Sequence, residues 1–256
     1  MYRSKLVQIT ILLFVSSMLV ACGGQATPEP TAIPPTPVPP TDVPPTEAPP
    51  PTDVPPAPEG IARAYTVAGT NPDGSAYDGT LRVTATGDTY QWAWDFGGDE
   101  YLGVGIQQEN VVSLAWGGEE CYVASYVVQD DGVLNGLWTG LGQSSVGTDV
   151  GTPTDSIAEG DIAGTYNAAG TDSGDGSAYG CMLDVTADGD VYTWEWYMCG
   201  EFTGVGIMRE NIVSVAYGSE NCSAISYIVQ DDGVLDGIWA YVGQTDLGAD
   251  VATPSE

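Results

Sequence analysis

From residue 61 onward apolar and polar positions alternate with a period of two, and no window supports a helix of three turns. Leu81, Val83 and Ala85 alternate with Arg82 and Thr84. After Thr86-Gly87-Asp88, the residues Tyr90, Trp92, Trp94 and Phe96 alternate with Gln91, Ala93 and Asp95. Two alternating runs about a Gly/Asp break predict a hairpin, because tight hairpin turns need positive φ. Asp131-Gly132 makes the same demand between Tyr126–Gln129 and Leu134–Trp138, and Glu109-Asn110 marks a turn after Gly103-Val104-Gly105-Ile106. Short sequential connections describe a meander, and closing a meander removes its exposed edges. The pattern therefore predicts an all-β protein of small antiparallel meander β-barrels, with two-sheet sandwiches as the alternative.

The pattern is written twice. Ile61–Pro153 recurs as Ile162–Pro254, displaced by 101 residues. Leu183, Val185 and Ala187, then Tyr192, Trp194, Trp196 and Met198, repeat the first hairpin about Asp188-Gly189, and Val128–Leu134 returns as Val229–Leu235. The register needs one inserted residue near Ser173 and one deleted after Met198. Copies this long imply two domains rather than a solenoid of short units. The expected division is two tandem barrels over 61–152 and 162–254, each repeat with seven or eight strands, joined by a linker over 153–161.

Ahead of the first copy, Arg3 and Lys5 precede an apolar run, Leu6 to Val20, which is short for a membrane span. It ends in Leu19-Val20-Ala21-Cys22, which resembles the bacterial lipoprotein box. That resemblance implies a signal peptide over 1–21, lipidation of Cys22, and anchoring to the membrane of a bacterial envelope. Gly23 stands where Asp often signals inner-membrane retention in that family, so the outer surface is expected. Residues 22–60 then turn to Pro, Thr, Val and Ala, as in Pro34-Pro35-Thr36-Pro37, a composition that cannot bury enough apolar surface to fold. A disordered stalk is expected there.

Charge and missing residue types narrow the function. The formal charge is −30, and after Lys5 the only bases are Arg63, Arg82 and Arg209. Such a surface repels nucleic acid and suits cationic partners. Histidine is absent and no lysine follows position 5, which removes the usual hydrolytic triads and Schiff-base schemes. The acids shared by both copies, Asp130/Asp231 and Asp131/Asp232, are explained by turns. Neither an enzyme nor a cofactor is expected.

Three sets of residues carry candidate chemistry. Tyr90, Trp92 and Trp94, with Tyr192, Trp194 and Trp196, share one strand face, and Trp138 and Trp239 lie on later strands. These eight rings are either barrel filling or, where a barrel is open, the walls of a ligand pocket. Two acidic Gly loops place Asp73, Asp172 and Asp175 as calcium candidates, although turn chemistry explains them equally well. Cys181 and Cys199 occur only in the second copy, flanking one hairpin, which predicts a disulfide between them. A bulge or longer turn is needed, since a turn at Asp188-Gly189 sets Cys181 opposite residue 196. For Cys121 and Cys222, buried thiols, a bridge between domains and a Cys199–Cys222 pair remain open.

Gly237-Ile238-Trp239 and its first-copy equivalent end in a way that looks like the strands of calycin barrels. The run from Tyr65 through Gly69-Thr70-Asn71-Pro72 to Tyr77 resembles a small all-β module of bacterial exported proteins, some of them labelled fibronectin-binding. These resemblances imply a non-enzymatic, lipid-anchored surface protein that displays two β modules to an extracellular protein or glycan. The alternative is a calycin-like carrier holding a small apolar ligand inside each barrel.

Overall fold

The computed structural model describes residues 60–255, which form sixteen β-strands and no helix. The leader expected over 1–21, Cys22 and the stalk to residue 59 lie outside the described residues. The first copy supplies β1 (Ala64–Thr70), β2 (Ala76–Thr86), β3 (Thr89–Phe96), β4 (Asp99–Gln108), β5 (Val111–Trp116), β6 (Cys121–Val128), β7 (Leu134–Gly140) and β8 (Gly147–Pro153). The second supplies β9 (Gly164–Thr171), β10 (Ala178–Asp188), β11 (Val191–Tyr197), β12 (Phe202–Arg209), β13 (Ile212–Gly218), β14 (Ser223–Val229), β15 (Leu235–Tyr241) and β16 (Gly248–Pro254). Every pairing is antiparallel, and the strands close into two eight-stranded barrels, not sandwiches. The alternating faces point inward as the pattern predicts: Tyr65, Val67, Leu81, Val83, Trp92 and Trp94 are buried in one core, Tyr166, Leu183, Val185 and Trp194 in the other.

The barrels do not coincide with the repeats. The first barrel takes β1–β5 from the first copy and β14–β16 from the second; β6–β13 form the other barrel as one continuous meander. The expected boundaries at 61–152 and 162–254 are thus replaced by a nested arrangement, in which residues 121–218 are a complete barrel inserted between β5 and β14. Of residues 153–161, read as a linker, Pro153 ends β8 and the rest belong to the β8–β9 connection within the inserted barrel, where Thr154 N donates to Thr165 O at 2.8 Å. Sequence equivalence makes the exchange possible. β5 pairs with β14 through Ser113↔Ser226, and β13 pairs with β6 through Ser214↔Ser125, so each strand meets a copy of the partner that its own repeat would offer.

Where the chain crosses between barrels, the backbone is tight. Gly117 and Gly218 both have φ of 127°, and a Cβ on either would come within about 2 Å of a carbonyl on the opposite crossing, Asn221 O or Glu120 O. Only glycine fits there. Immediately beyond these crossings Cys121 and Cys222 form a disulfide with Cα atoms 5.5 Å apart. Of the three arrangements left open, the structure shows the bridge, and it ties the two crossings together.

Exchange also gives the barrels a shared core. Val104, Ile106, Ala115 and Ala224 of the first barrel pack their outward sides against Val123, Val205, Ile207 and Ala216 of the inserted one. That is why β5 and β13 are buried almost throughout rather than on alternate residues. At the centre the Ser113 and Ser214 hydroxyls meet at 2.8 Å and Ser113 donates to Ser125 at 2.9 Å, so these three buried hydroxyls are partnered, whereas that of Ser226 is not. Nearby, Gln108 donates to Ser125 in one half, whereas Arg209 in the equivalent place pairs with Asp236 at 2.8 Å.

The second disulfide joins Cys181 to Cys199. The tight turn lies at Gly189-Asp190, because Asp188 pairs with Val191 and Met182 with Tyr197. Cys181 is therefore level with Met198 rather than residue 196. Met198 takes a left-handed φ of 72° and projects outward, 82% exposed, which swings Cys199 back to Cys181. The bulge that the pairing required is this residue.

Candidate functional site: aromatic cavities at the barrel mouths

Each barrel has a filled end and an open end. At the filled end Tyr65 donates to Ile61 O at 2.9 Å, and Tyr166 to Ile162 O at 2.7 Å, with all four residues buried. Trp92 and Trp194 fill the middle. Trp92 stacks on Tyr227 at 5.5 Å between ring centroids, and Trp194 on Tyr126 at 5.0 Å. Tyr90 is buried too, and Tyr192 is half-buried. Four of the eight candidate rings are thus filling or edge.

The other four line cavities. Trp94 and Trp239, with Tyr77, Tyr101, Trp116 and Tyr241, wall a space of about 200 Å³ at the mouth of the first barrel. Trp138 and Trp196, with Tyr122, Tyr179, Phe202 and Tyr217, wall one of about 350 Å³ at the mouth of the inserted barrel. The walls support one another: Trp116 meets Tyr101 edge-on at 5.4 Å and Tyr241 at 5.6 Å, while Tyr217 packs on Trp196 at 4.9 Å. The linings differ at several equivalent places, Trp116 against Tyr217 among them. Tyr241 and Ile225 line the first cavity, where the inserted barrel has Gly140 and Ala124.

Each floor holds a carboxylate. Tyr227 donates to Asp250 Oδ2 at 2.7 Å, and Tyr126 donates to Asp149 Oδ2 at 2.6 Å. Asp250 and Asp149 are only 2% and 4% exposed, and Oδ1 of each is sealed from water without a hydrogen-bond partner. Burial pushes the Asp250 carboxyl up to about 6 against the pull of the Tyr227 hydroxyl. Burial raises Asp149 as well; the Tyr126 hydroxyl, then Tyr179 and the Trp196 indole, favour its charged form. The two latter groups lie close without completing a bond to Oδ1. The same burial and the facing carboxylates raise Tyr126 and Tyr227 far above the ordinary phenol, so both stay neutral donors.

Local sequence explains the geometry. Gly136 and Gly237 are where the Tyr126 and Tyr227 rings lie across the strand, since a Cβ would come within 2.3 and 2.5 Å of those rings. On β8 and β16 the inward positions read Gly147, Asp149, Gly151 and Gly248, Asp250, Ala252. An acid repeated at an inward position among small residues is the signal that sequence reasoning passed over. Neither Arg63, Arg82 nor Arg209 lines a mouth cavity.

The calcium candidates sit in turns that use their oxygens. Asp73 Oδ1 accepts from Ser75 N at 2.9 Å and Ser75 Oγ at 2.6 Å; Asp172 accepts from Gly174 N at 2.7 Å, and Asp175 from Ser177 N at 2.8 Å. These bonds hold Asp73 and Asp175 below the usual carboxylate range. No cluster of three metal-ligating residues occurs among the described residues. Asp172 instead borders the inserted barrel's cavity, where Asn71 borders the first.

Comparison with known proteins finds no match to a family model, a curated protein or a solved structure.

Proposed function

We propose that this chain is a non-enzymatic, lipid-anchored binding protein of the bacterial envelope, and that it takes one small ligand at the mouth of each barrel. The observation that carries the reading is the pair of equivalent cavities, each with aromatic walls and one buried acid. Concave sites with apolar lining and few polar groups are where small ligands bind. A barrel serving only as a spacer has no need of an unfilled mouth, and the aromatic groups needed to fill it are already present. Anchoring rests on the leader and Cys22, and exposure outside the cell on the stalk composition.

Display for adhesion has one observation in its favour. Tyr101, Phe202 and Met198 are exposed hydrophobic side chains, and the first two sit on cavity walls, where a protein or glycan tip could seat. A thermal-shift screen of the two-barrel segment against small molecules, alongside a glycan and matrix-protein array, separates the two. Saturable stabilisation by small molecules is expected, with the array at background. Array binding with no small-molecule response would reverse the assignment.

A further inference from the structure

Resting on the reading of the mouths as ligand sites, we infer that their ligand carries a methylated ammonium group, held by the aromatic walls above Asp250 in one barrel and Asp149 in the other. The selection comes from what each floor offers. A buried carboxylate with one oxygen lacking any partner is costly to keep unless something nearby compensates it. No arginine lines either cavity, and mature lysine and histidine do not exist in this chain. Where the acid keeps its charge, the compensating cation arrives with the ligand.

The walls specify what kind of cation. Oδ1 of each Asp is sealed from water, so the acid supplies its field rather than a reachable hydrogen-bond acceptor. A sugar, whose hydroxyls need acceptors within reach, is poorly served by this floor. A bare metal ion needs six or so oxygen ligands, which a ring of indoles and phenols does not provide. A quaternary ammonium needs neither. It is large, weakly hydrated and attracted to the faces of Trp and Tyr, and that attraction grows in a desolvated site. The first cavity offers Trp94, Trp116 and Trp239 for this purpose, and the inserted barrel offers Trp138, Trp196 and Tyr217. With its larger volume and Asp172 at its border, the second accepts the bulkier cation.

Calorimetry tests this with choline and its uncharged carbon isostere, 3,3-dimethylbutan-1-ol, on the two-barrel segment at pH 8 and low salt. Choline is expected to bind at least about tenfold more tightly than the isostere, from cation–π attraction plus the buried charge. Replacing both acids, D149N with D250N, is expected to weaken choline binding and so erase most of that preference, with isostere binding showing that the mouths remain formed. Equal binding of choline and the isostere to the unmodified protein overturns the cation assignment and leaves the mouths as sites for neutral ligands. Heat from neither compound, together with a silent small-molecule screen, overturns the ligand-site reading itself. A preference that survives in the double variant removes the two acids from the account.

Discussion

Asp250 and Asp149 are buried carboxylates at the cavity floors, and their burial makes a prediction about stability. Asp250 binds its proton more tightly folded than unfolded, having been pushed up to about 6. The folded state therefore gains stability as pH falls through about 6 towards the unfolded value near 3.9, and loses it as pH rises through 6. Replacing Asp250 by Asn keeps an acceptor for the Tyr227 hydroxyl and removes the buried charge. D250N is expected to be more stable than the parent at pH 8, by up to about 2–3 kcal/mol, and the two to converge below about pH 3.5. Melting curves of both proteins across this range check it. Relief of overall acidic repulsion at low pH acts on both alike, so their difference isolates the one group. A variant less stable than the parent at pH 8 would contradict the placement of Asp250.

At the scale of elements, the strands were legible and their partners were not. Alternation gave β2, β3, β10 and β11 because each has one face in a barrel core and one in water. β5 and β13, Val111–Trp116 and Ile212–Gly218, are apolar on both faces, and such runs carry no period to read. Their second face was the sign of a neighbouring barrel. Pairing was hidden for a different reason: β6 and β14 offer β5 nearly the same side chains, with Ser125 and Ser226 in the same register, so local pattern cannot choose between them. Gly117 and Gly218 mark the crossings, but each opens a tight turn, as a plain hairpin would also require. The aromatic stripe divided by depth along the barrel, a coordinate that alternation does not contain. Trp92 and Trp194 went to the middle, Trp94 and Trp196 to the mouth. Asp149 and Asp250 were missed because an inward acid breaks the pattern from which inwardness is judged.

For the whole molecule, duplication and exchange together imply a symmetric ancestor state that is still testable. One copy alone contains all eight strand types, but closing on itself leaves Val104, Ile106, Ala115 and Val123 exposed. Two copies of residues 60–153 can instead exchange strands as the native chain does, burying that face. Cys121 of one then lies where Cys222 now sits beside Cys121. The isolated repeat is expected to be a dimer by light scattering and to run as a disulfide-linked dimer without reductant. A stable monomer would show that the exchange depends on differences between the copies.

The central claim is that the barrel mouths bind and the barrel bottoms do not, and the seven tryptophans of the chain report on both. Indole resonances of the nitrogen-15-labelled two-barrel segment, followed as aromatic, alkyl and alkylammonium compounds are added at millimolar concentration, test it most directly. A binding compound is expected to shift Trp94, Trp116 and Trp239 in one barrel and Trp138 and Trp196 in the other, with Trp92 and Trp194 moving least. Seven indoles unmoved by every compound, or the largest shifts at Trp92 and Trp194, would contradict it.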